Sequence, residues 1–320
     1  MALILDRAAV EQLLSLDDCI EAMRRAHVAF SAGRAVMPVR LTATFRDVGL
    51  LRALPAWLDD GPMLGMKSIT NFPVNRERGK AAILATMLLY DAETGELEAV
   101  MDGVHLTNVR TAAVSAVATQ ALARPESKRL AIVGAGVQAA GHLEAMAKML
   151  PLEEVTVVAR TRESAERFVD EQRQWFPHLT LRAAEALPAA DVVCTVSSAR
   201  TPVVESLEPG THVNAVGSHA PGIREIAGDV MRDARVVVDS RDATLSECGD
   251  CILPIAEGLF GPEHVSDELG EVLAGTKSGR RSPDEITIYQ SCGIAVQDVA
   301  AAQLVYERAR EQGAGVEVPL

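Results

Sequence analysis

The segment Leu130-Ala-Ile-Val133 runs directly into Gly134-Ala-Gly136-Val-Gln-Ala139, and it limits the folding of this chain more than any other stretch. An apolar run that ends in GxGxxA and continues at helical spacing predicts a strand, a tight turn and a helix start. In that arrangement the first glycine permits the turn and the second leaves room for a pyrophosphate. The small Ala139 lets helix and strand pack closely. Backbone N–H groups and the positive end of the helix then face an anion. The expected ligand is a dinucleotide.

The strand expected at 155–158 leads into Ala159-Arg160-Thr161-Arg162, where an NAD site normally carries an acid for the ribose hydroxyls. Two guanidinium groups flanking a hydroxyl suit a 2′-phosphate instead, through charge-assisted hydrogen bonds. NADPH is therefore the expected cofactor, with NADH as the alternative. Arg162 either completes this clamp or belongs to a solvated helix start.

The remaining sequence supports a sizeable core, with 320 residues and 48% hydrophobic content. A formal charge of −13 argues against nucleic-acid or anionic-membrane partners, whose own surfaces are negative. The clearest uncharged apolar stretch, 81–90, is too short to span a bilayer, and Asp6 and Arg7 interrupt any apolar leader. A cytoplasmic location is expected. The five cysteines do not resemble a secreted disulfide framework. Cys248-Gly-Asp-Cys251 lacks a second CxxC or a histidine pair, so it reads as two thiols in a loop and no metal is expected.

Beyond the fingerprint, short strand-like runs at 179–182, 192–196, 212–216, 235–238 and 286–289 alternate with helical segments. That rhythm predicts a doubly wound parallel sheet, with a crossover helix burying Ala165, Phe168, Val169 and Phe176. The first third reads differently. An amphipathic helix over 16–32 is expected to bury Ile20, Met23, Ala26 and Phe30, with His27 packed rather than ligating. Strands follow at 39–45, 51–54 and 64–68, then a hairpin around Asp91-Ala-Glu-Thr-Gly95. An Ala-rich helix over 295–311 is expected to return to this first region, and 277–283 is expected to be the mobile loop. The expected fold class is α/β: a Rossmann doubly wound parallel sheet (118–297) inserted in an α+β substrate and dimerisation domain (1–117 plus 298–320).

Three basic residues of the first third are candidates for holding a substrate: Arg40, Lys67 at the end of an apolar run, and Arg110 in a helix of small apolar residues. Here the sequence resembles the ornithine cyclodeaminase and mu-crystallin family. The resemblance rests on Gly65-Met-Lys67, Asn108-Val-Arg-Thr-Ala-Ala-Val-Ser115, Val133 to Gln138, Asn214-Ala-Val-Gly-Ser-His219 with Pro221 and Arg224-Glu225, and Gln290-Ser-Cys-Gly-Ile-Ala295. It implies amino-acid or cyclic imino-acid substrates bearing a carboxylate, and a homodimer. It places Arg40, Lys67 and Arg110 around that carboxylate, with Cys292 and Gly293 also at the substrate. It places Gly134, Gly136, Val137 and Gln138 at the pyrophosphate and Arg160 and Thr161 at the adenosine phosphate. Thr195, Val196 and Ser197 fall near the nicotinamide.

One departure affects the reaction. Where cyclodeaminases carry an aspartate before the proline of the Val-Gly loop, this chain has His219. Imidazole can exchange a proton near neutrality but offers no fixed negative charge to a substrate ammonium. Ornithine cyclisation is thereby disfavoured and imine reduction favoured, with Lys67 or His219 as proton donor unless His219 serves only its loop. Three activities stay open: an NADPH-dependent reductase of cyclic ketimines, extending to amino-acid dehydrogenation; an ornithine cyclodeaminase; and a non-catalytic, crystallin-like NADPH-binding protein.

Overall fold

The computed structural model describes residues 1–46, 48–59 and 61–319. The chain divides into two compact units, Met1–Ala113 with Ile294–Leu320, and Val114–Gly293.

The first unit opens with β1 (Ala2–Leu5), α1 (Arg7–Leu13) and α2 (Leu16–Ser31). The Ser15 hydroxyl caps α2, accepting from the Asp18 N–H at 3.3 Å. The buried face of α2 carries Ile20, Met23, Ala26 and His27, as expected, but Ala29 rather than Phe30 completes it. Phe30 is only half-buried because the stripe has rotated past it. The chain continues through β2 (Ala35–Val36), β3 (Leu41–Phe45), β4 (Gly49–Leu58), β5 (Met63–Asn71), β6 (Ile83–Asp91) and β7 (Leu97–Asp102). Strands β6 and β7 form the expected hairpin, whose turn is held by Asp91 Oδ1 accepting from the N–H groups of Glu93 and Thr94. Helix α3 (Gly103–Leu122) follows and runs past Ala113, where the second unit begins; Asp102 Oδ1 accepts from the His105 N–H at its start, 2.7 Å away.

The second unit holds β8 (Arg129–Val133), α4 (Val137–Met149), β9 (Glu154–Val158), α5 (Arg162–Arg173), β10 (Thr180–Ala184), β11 (Val192–Thr195) and β12 (His212–Ala215). It continues with α6 (Gly228–Asp233), β13 (Arg235–Val238), α7 (Arg241–Glu247), α8 (Gly249–Ala256), β14 (Asp267–Glu268), α9 (Leu269–Leu273) and β15 (Thr287–Gln290). The sheet order is β10-β9-β8-β11-β12-β15-β13-β14, and its ladders are parallel. Strands β8, β11, β12, β13 and β15 are buried on both faces or nearly so, which explains the apolar runs of β8, β11 and β13, while β12 and β15 also bury the polar His212, Asn214, Thr287 and Gln290. The order reverses between β8 and β11, creating the crevice in which doubly wound sheets bind ligands. Helix α5 buries Ala165, Phe168 and Val169 but ends before Phe176.

Two expectations for this unit change. The segment 277–283 is tied down: Arg280 donates to Leu122 O at 2.7 Å and Thr287 Oγ1 at 3.0 Å, and Arg235 donates to Ser278 O at 2.6 Å. Most of its residues are exposed, but the half-buried Arg280 and the buried Arg235 anchor its backbone. Cys248 and Cys251 lie at the start of α8 in the apolar core, and all five thiols are free and buried.

After β15 the chain returns to the first unit with α10 (Ala295–Gln312), closed by Gly313 in a left-handed conformation, and β16 (Val316–Val318). The division of the chain thus precedes α10, whereas the boundary read from sequence at 297/298 cuts into it. Helix α10 packs against α2, β4 and β5. The sheet of this unit runs β16-β1-β7-β6-β5-β4-β2, with β3 also on β4. Among the described residues, no helix is long and apolar enough to cross a membrane.

Candidate active site

In the second unit, the turn after β8 has the geometry that its glycines suggest. Gly134 adopts φ +127°, and a Cβ there would lie 2.7 Å from Val196 O. Gly136 is the N-cap of α4 and contributes no side chain to the helix's first N–H groups, while a Cβ on it would meet nothing within 4 Å. The next residue, Val137, is 68% exposed despite being apolar. Open donors, a bare approach and an uncovered apolar side chain fit the pyrophosphate end of a dinucleotide. Gln138 continues the same turn of α4.

At the end of β9, Arg160 and Thr161 are exposed. The Thr161 hydroxyl caps α5, accepting from the Ser164 N–H at 3.3 Å. Arg162 is turned along the helix, with Nε 2.8 Å from Glu166 and Nη1 3.4 Å from Glu185. It is therefore engaged by carboxylates, as a solvated helix start would have it.

The loops after β11 and β12 are organised by a residue that sequence reading saw only as part of a motif. The buried Glu225 carboxylate accepts from Thr195 Oγ1 at 2.8 Å, Ser197 N at 2.9 Å, Ser197 Oγ at 2.5 Å and Gly217 N at 2.7 Å. Burial pushes its carboxyl up, against these bonds, which favour the ionised form. Asp250 accepts in turn from the Glu225 and Ile226 N–H groups at 2.7 and 2.9 Å. The Thr195 and Ser197 hydroxyls are thus directed to Glu225, and Val196 bonds through its backbone N–H to Val133 O at 2.9 Å. His219 is exposed on the loop after β12. Cys292, expected at the substrate, is buried beside Thr244, with Sγ 3.9 Å from Oγ1. Gly293, at φ +76°, donates its N–H to Asp239 Oδ2 at 2.6 Å.

In the first unit, Lys67 and Arg110 converge on a carboxylate that sequence reading missed. On β5, Met63, Gly65 and Lys67 alternate inward. Gly65 faces α10 so closely that a Cβ would come within 3.0 Å of Val299 Cγ2, and Lys67 points to the same side two residues on. There Asp298, on α10, holds Lys67 Nζ at 2.6 Å through Oδ2 and Arg110 Nε at 2.9 Å through Oδ1. Lys67 and Asp298 are each 1% exposed. Thr107, one turn before Arg110 on α3, accepts from Lys67 Nζ at 3.4 Å.

The neighbouring hydrogen bonds define protonation. Arg110 Nη1 donates to Gln297 Oε1 at 2.8 Å, so the Gln297 amide nitrogen donates to His27 Nε2 at 3.0 Å. His27 is therefore neutral and carries its proton on Nδ1. Its pKa is pushed down to about 3, by burial first and by Arg110 second. Lys67 falls to about 8: burial lowers it, the Asp298 charge raises it, and Arg110 and then Arg40 lower it. Arg40 is half-buried just ahead of β3, and its effect on Lys67 places its charge within electrostatic range. Asp298 stays below the usual carboxylate range despite burial, because Lys67 and Arg110 hold its charge.

A parallel doubly wound unit with an open glycine turn, joined in one chain to a unit that buries a lysine and an arginine on one aspartate, defines a dinucleotide-type α/β protein with a separate cationic site. The sequence profile of the Ornithine cyclodeaminase/mu-crystallin family matches residues 1–313. The chain belongs to that family. It is 37% identical over 322 residues to a Delta(1)-pyrroline-2-carboxylate reductase of Bacillus cereus, covering 99% of each chain. The structure of Thermococcus litoralis Delta(1)-pyrroline-2-carboxylate reductase in complex with NADH and L-proline superposes with a TM-score of 0.95 at 35% identity, covering 99% of this chain and 100% of that one. An archaeal alanine dehydrogenase dimer with bound NAD gives a TM-score of 0.93 at 34% identity, covering 99% of each chain.

Proposed function

We propose that this chain is an NADPH-dependent reductase of cyclic ketimine carboxylates, converting Δ1-pyrroline-2-carboxylate or Δ1-piperideine-2-carboxylate into L-proline or L-pipecolate. The observation that carries this reading is the buried Lys67–Asp298–Arg110 cluster. Asp298 and Gln297 occupy two of the five N–H donors of Arg110, leaving the others for a substrate carboxylate. Lys67 has one proton each for Asp298 and Thr107, and a third for the substrate. With a pKa of about 8, it is charged at neutral pH yet acidic enough to protonate an imine nitrogen. Protonation makes the C=N carbon the better hydride acceptor. Arg40 adds a further positive charge for the acid group.

Gly134, Gly136 and Val137 would hold the cofactor pyrophosphate, and Arg160 with Thr161 the adenosine phosphate. The bound reduced nicotinamide supplies the hydride. The relatives that bind NADH or NAD leave NADH as the alternative, and Arg160 favours NADPH. His219 in place of a carboxylate disfavours ornithine cyclisation.

A homodimer completes the proposal. Strand β3 carries Leu41 and Phe45 on one face, and cross-strand pairing through Leu51 and Thr70 sets Leu84 on that same face, opposite the one Lys67 occupies. Leu41, Phe45 and Leu84 are 61%, 49% and 52% exposed, an apolar surface suited to a second copy. The test of function is a panel of both cyclic imines, 2-oxo acids with amines, and L-ornithine, each with NADPH and NADH. Net cofactor oxidation on a cyclic imine, falling as pH rises through about 8, is expected. Ammonia release from ornithine without net oxidation would replace this reading with a cyclodeaminase. Tight cofactor binding without any turnover would leave a binding protein.

A further inference from the structure

We propose that Asp298 is a positioning residue for this reaction: its carboxylate fixes the Lys67 ammonium and the Arg110 guanidinium in place and supplies the negative charge that their shared burial requires. The inference rests on the reading above, in which those two cations receive the substrate. Its physical basis is geometric. One oxygen of Asp298 takes Arg110 Nε and the other takes Lys67 Nζ, so a single rigid group sets the spacing between two side chains on different elements. The close approach of α10 at Gly65 brings the carboxylate within reach.

The groups facing this cluster are Lys67 from β5, Arg110 and Thr107 from α3, Arg40 ahead of β3, and His27 and Cys19 from α2. His27 is neutral, and burial pushes the Cys19 thiol up to about 12, so neither contributes charge near neutrality. Lys67, Arg110 and Asp298 together leave one positive charge in the buried cluster. A single carboxylate neutralises it. The cluster therefore matches a monocarboxylate, with Arg40 at its margin. Without Asp298, Lys67 would face Arg110 and Arg40 alone and would lose its proton at lower pH.

The test uses the full chain with Asp298→Asn and Asp298→Glu. The chain contains five lysines, so [15N]lysine labelling gives a small set of side-chain Nζ resonances, and Lys67→Arg assigns the one of interest. In Asp298→Asn the Lys67 titration is expected to fall by about 1 unit or more, and the basic limb of kcat/KM to fall with it. Turnover at pH 7 should drop at least about tenfold, while NADPH affinity stays within about twofold. Asp298→Glu should keep the basic limb yet lose turnover, because the charge is retained and its place is not. A folded Asp298→Asn protein whose Lys67 titrates where wild type does would overturn the proposal. If that variant does not fold, Asp298→Glu decides, and unchanged kcat would overturn it. Absence of turnover by wild type on any imine would sink the functional reading alone, since the Lys67 titration needs no substrate.

Discussion

Replacing Glu225 by glutamine keeps the shape of the side chain and removes its charge, at a point where four donors converge. An amide has one accepting oxygen and an NH2 that only donates. With the oxygen toward Ser197, the NH2 confronts Thr195 and Gly217; the threonine hydroxyl can turn to accept, but the Gly217 N–H cannot. With the amide reversed, the Ser197 N–H is the one left facing a donor. Either way one buried N–H is orphaned, at about 1–3 kcal/mol, and the surviving bonds lose charge assistance. Relief of burying a carboxylate offsets part of this loss, leaving a net destabilisation of about 2 kcal/mol. For a unit of this size that corresponds to a fall in Tm of about 4–8 °C. Differential scanning calorimetry of the full chain reads it directly, and NADPH fluorescence reports whether the loops after β11 and β12 still support cofactor binding. A transition within about 1 °C of wild type, with unchanged NADPH affinity, would refute the view that Glu225 holds these loops.

The two glycines of the turn should behave oppositely. Gly134→Ala forces a side chain into a left-handed backbone against Val196 O and should cost on the order of 1–3 kcal/mol by thermal unfolding. Gly136→Val meets open space, so Tm should hold while the NADPH Kd rises at least about tenfold in fluorescence titration. Arg160→Ala should weaken NADPH at least about tenfold and leave NADH nearly unchanged. Arg280→Ala removes the bonds to Leu122 O and Thr287 Oγ1, so limited trypsinolysis after Lys277 should accelerate at least about tenfold. Leu41→Glu should convert the proposed dimer into a monomer by light scattering coupled to size exclusion, and a wild-type monomer would remove the basis for that prediction.

What the sequence reveals here is mostly local. The strand–turn–helix around Gly134 is legible because backbone conformation dictates its residues, and Lys67 stands out because an ammonium interrupts an inward-facing apolar alternation. The partner of Lys67 is not legible in the same way. Asp298 sits in a helix that reads as Ala-rich packing, and only the return of α10 to the first unit brings it to β5. Its one signal was Gln297-Asp298, two polar residues in a buried stretch. Glu225 was visible as a neighbour of Arg224, but four converging donors from separate loops have no linear signature. The segment 277–283 reads as mobile because its composition does not reveal that Arg280 and Arg235 bond to backbone carbonyls.

The first unit is built from both ends of the chain, with β16 paired to β1 and Arg110 held by a carboxylate 188 residues later. At ribosomal speeds of about 5–20 residues per second, Arg110 is synthesised roughly 10–40 s before its counter-ion emerges. The intervening unit has its own sheet and can fold during that wait. Translation halted before α10 would therefore yield a polypeptide with two unneutralised cations and an uncovered sheet face, a natural target for chaperones and proteases, whereas premature stops after Gly313 should spare the cluster.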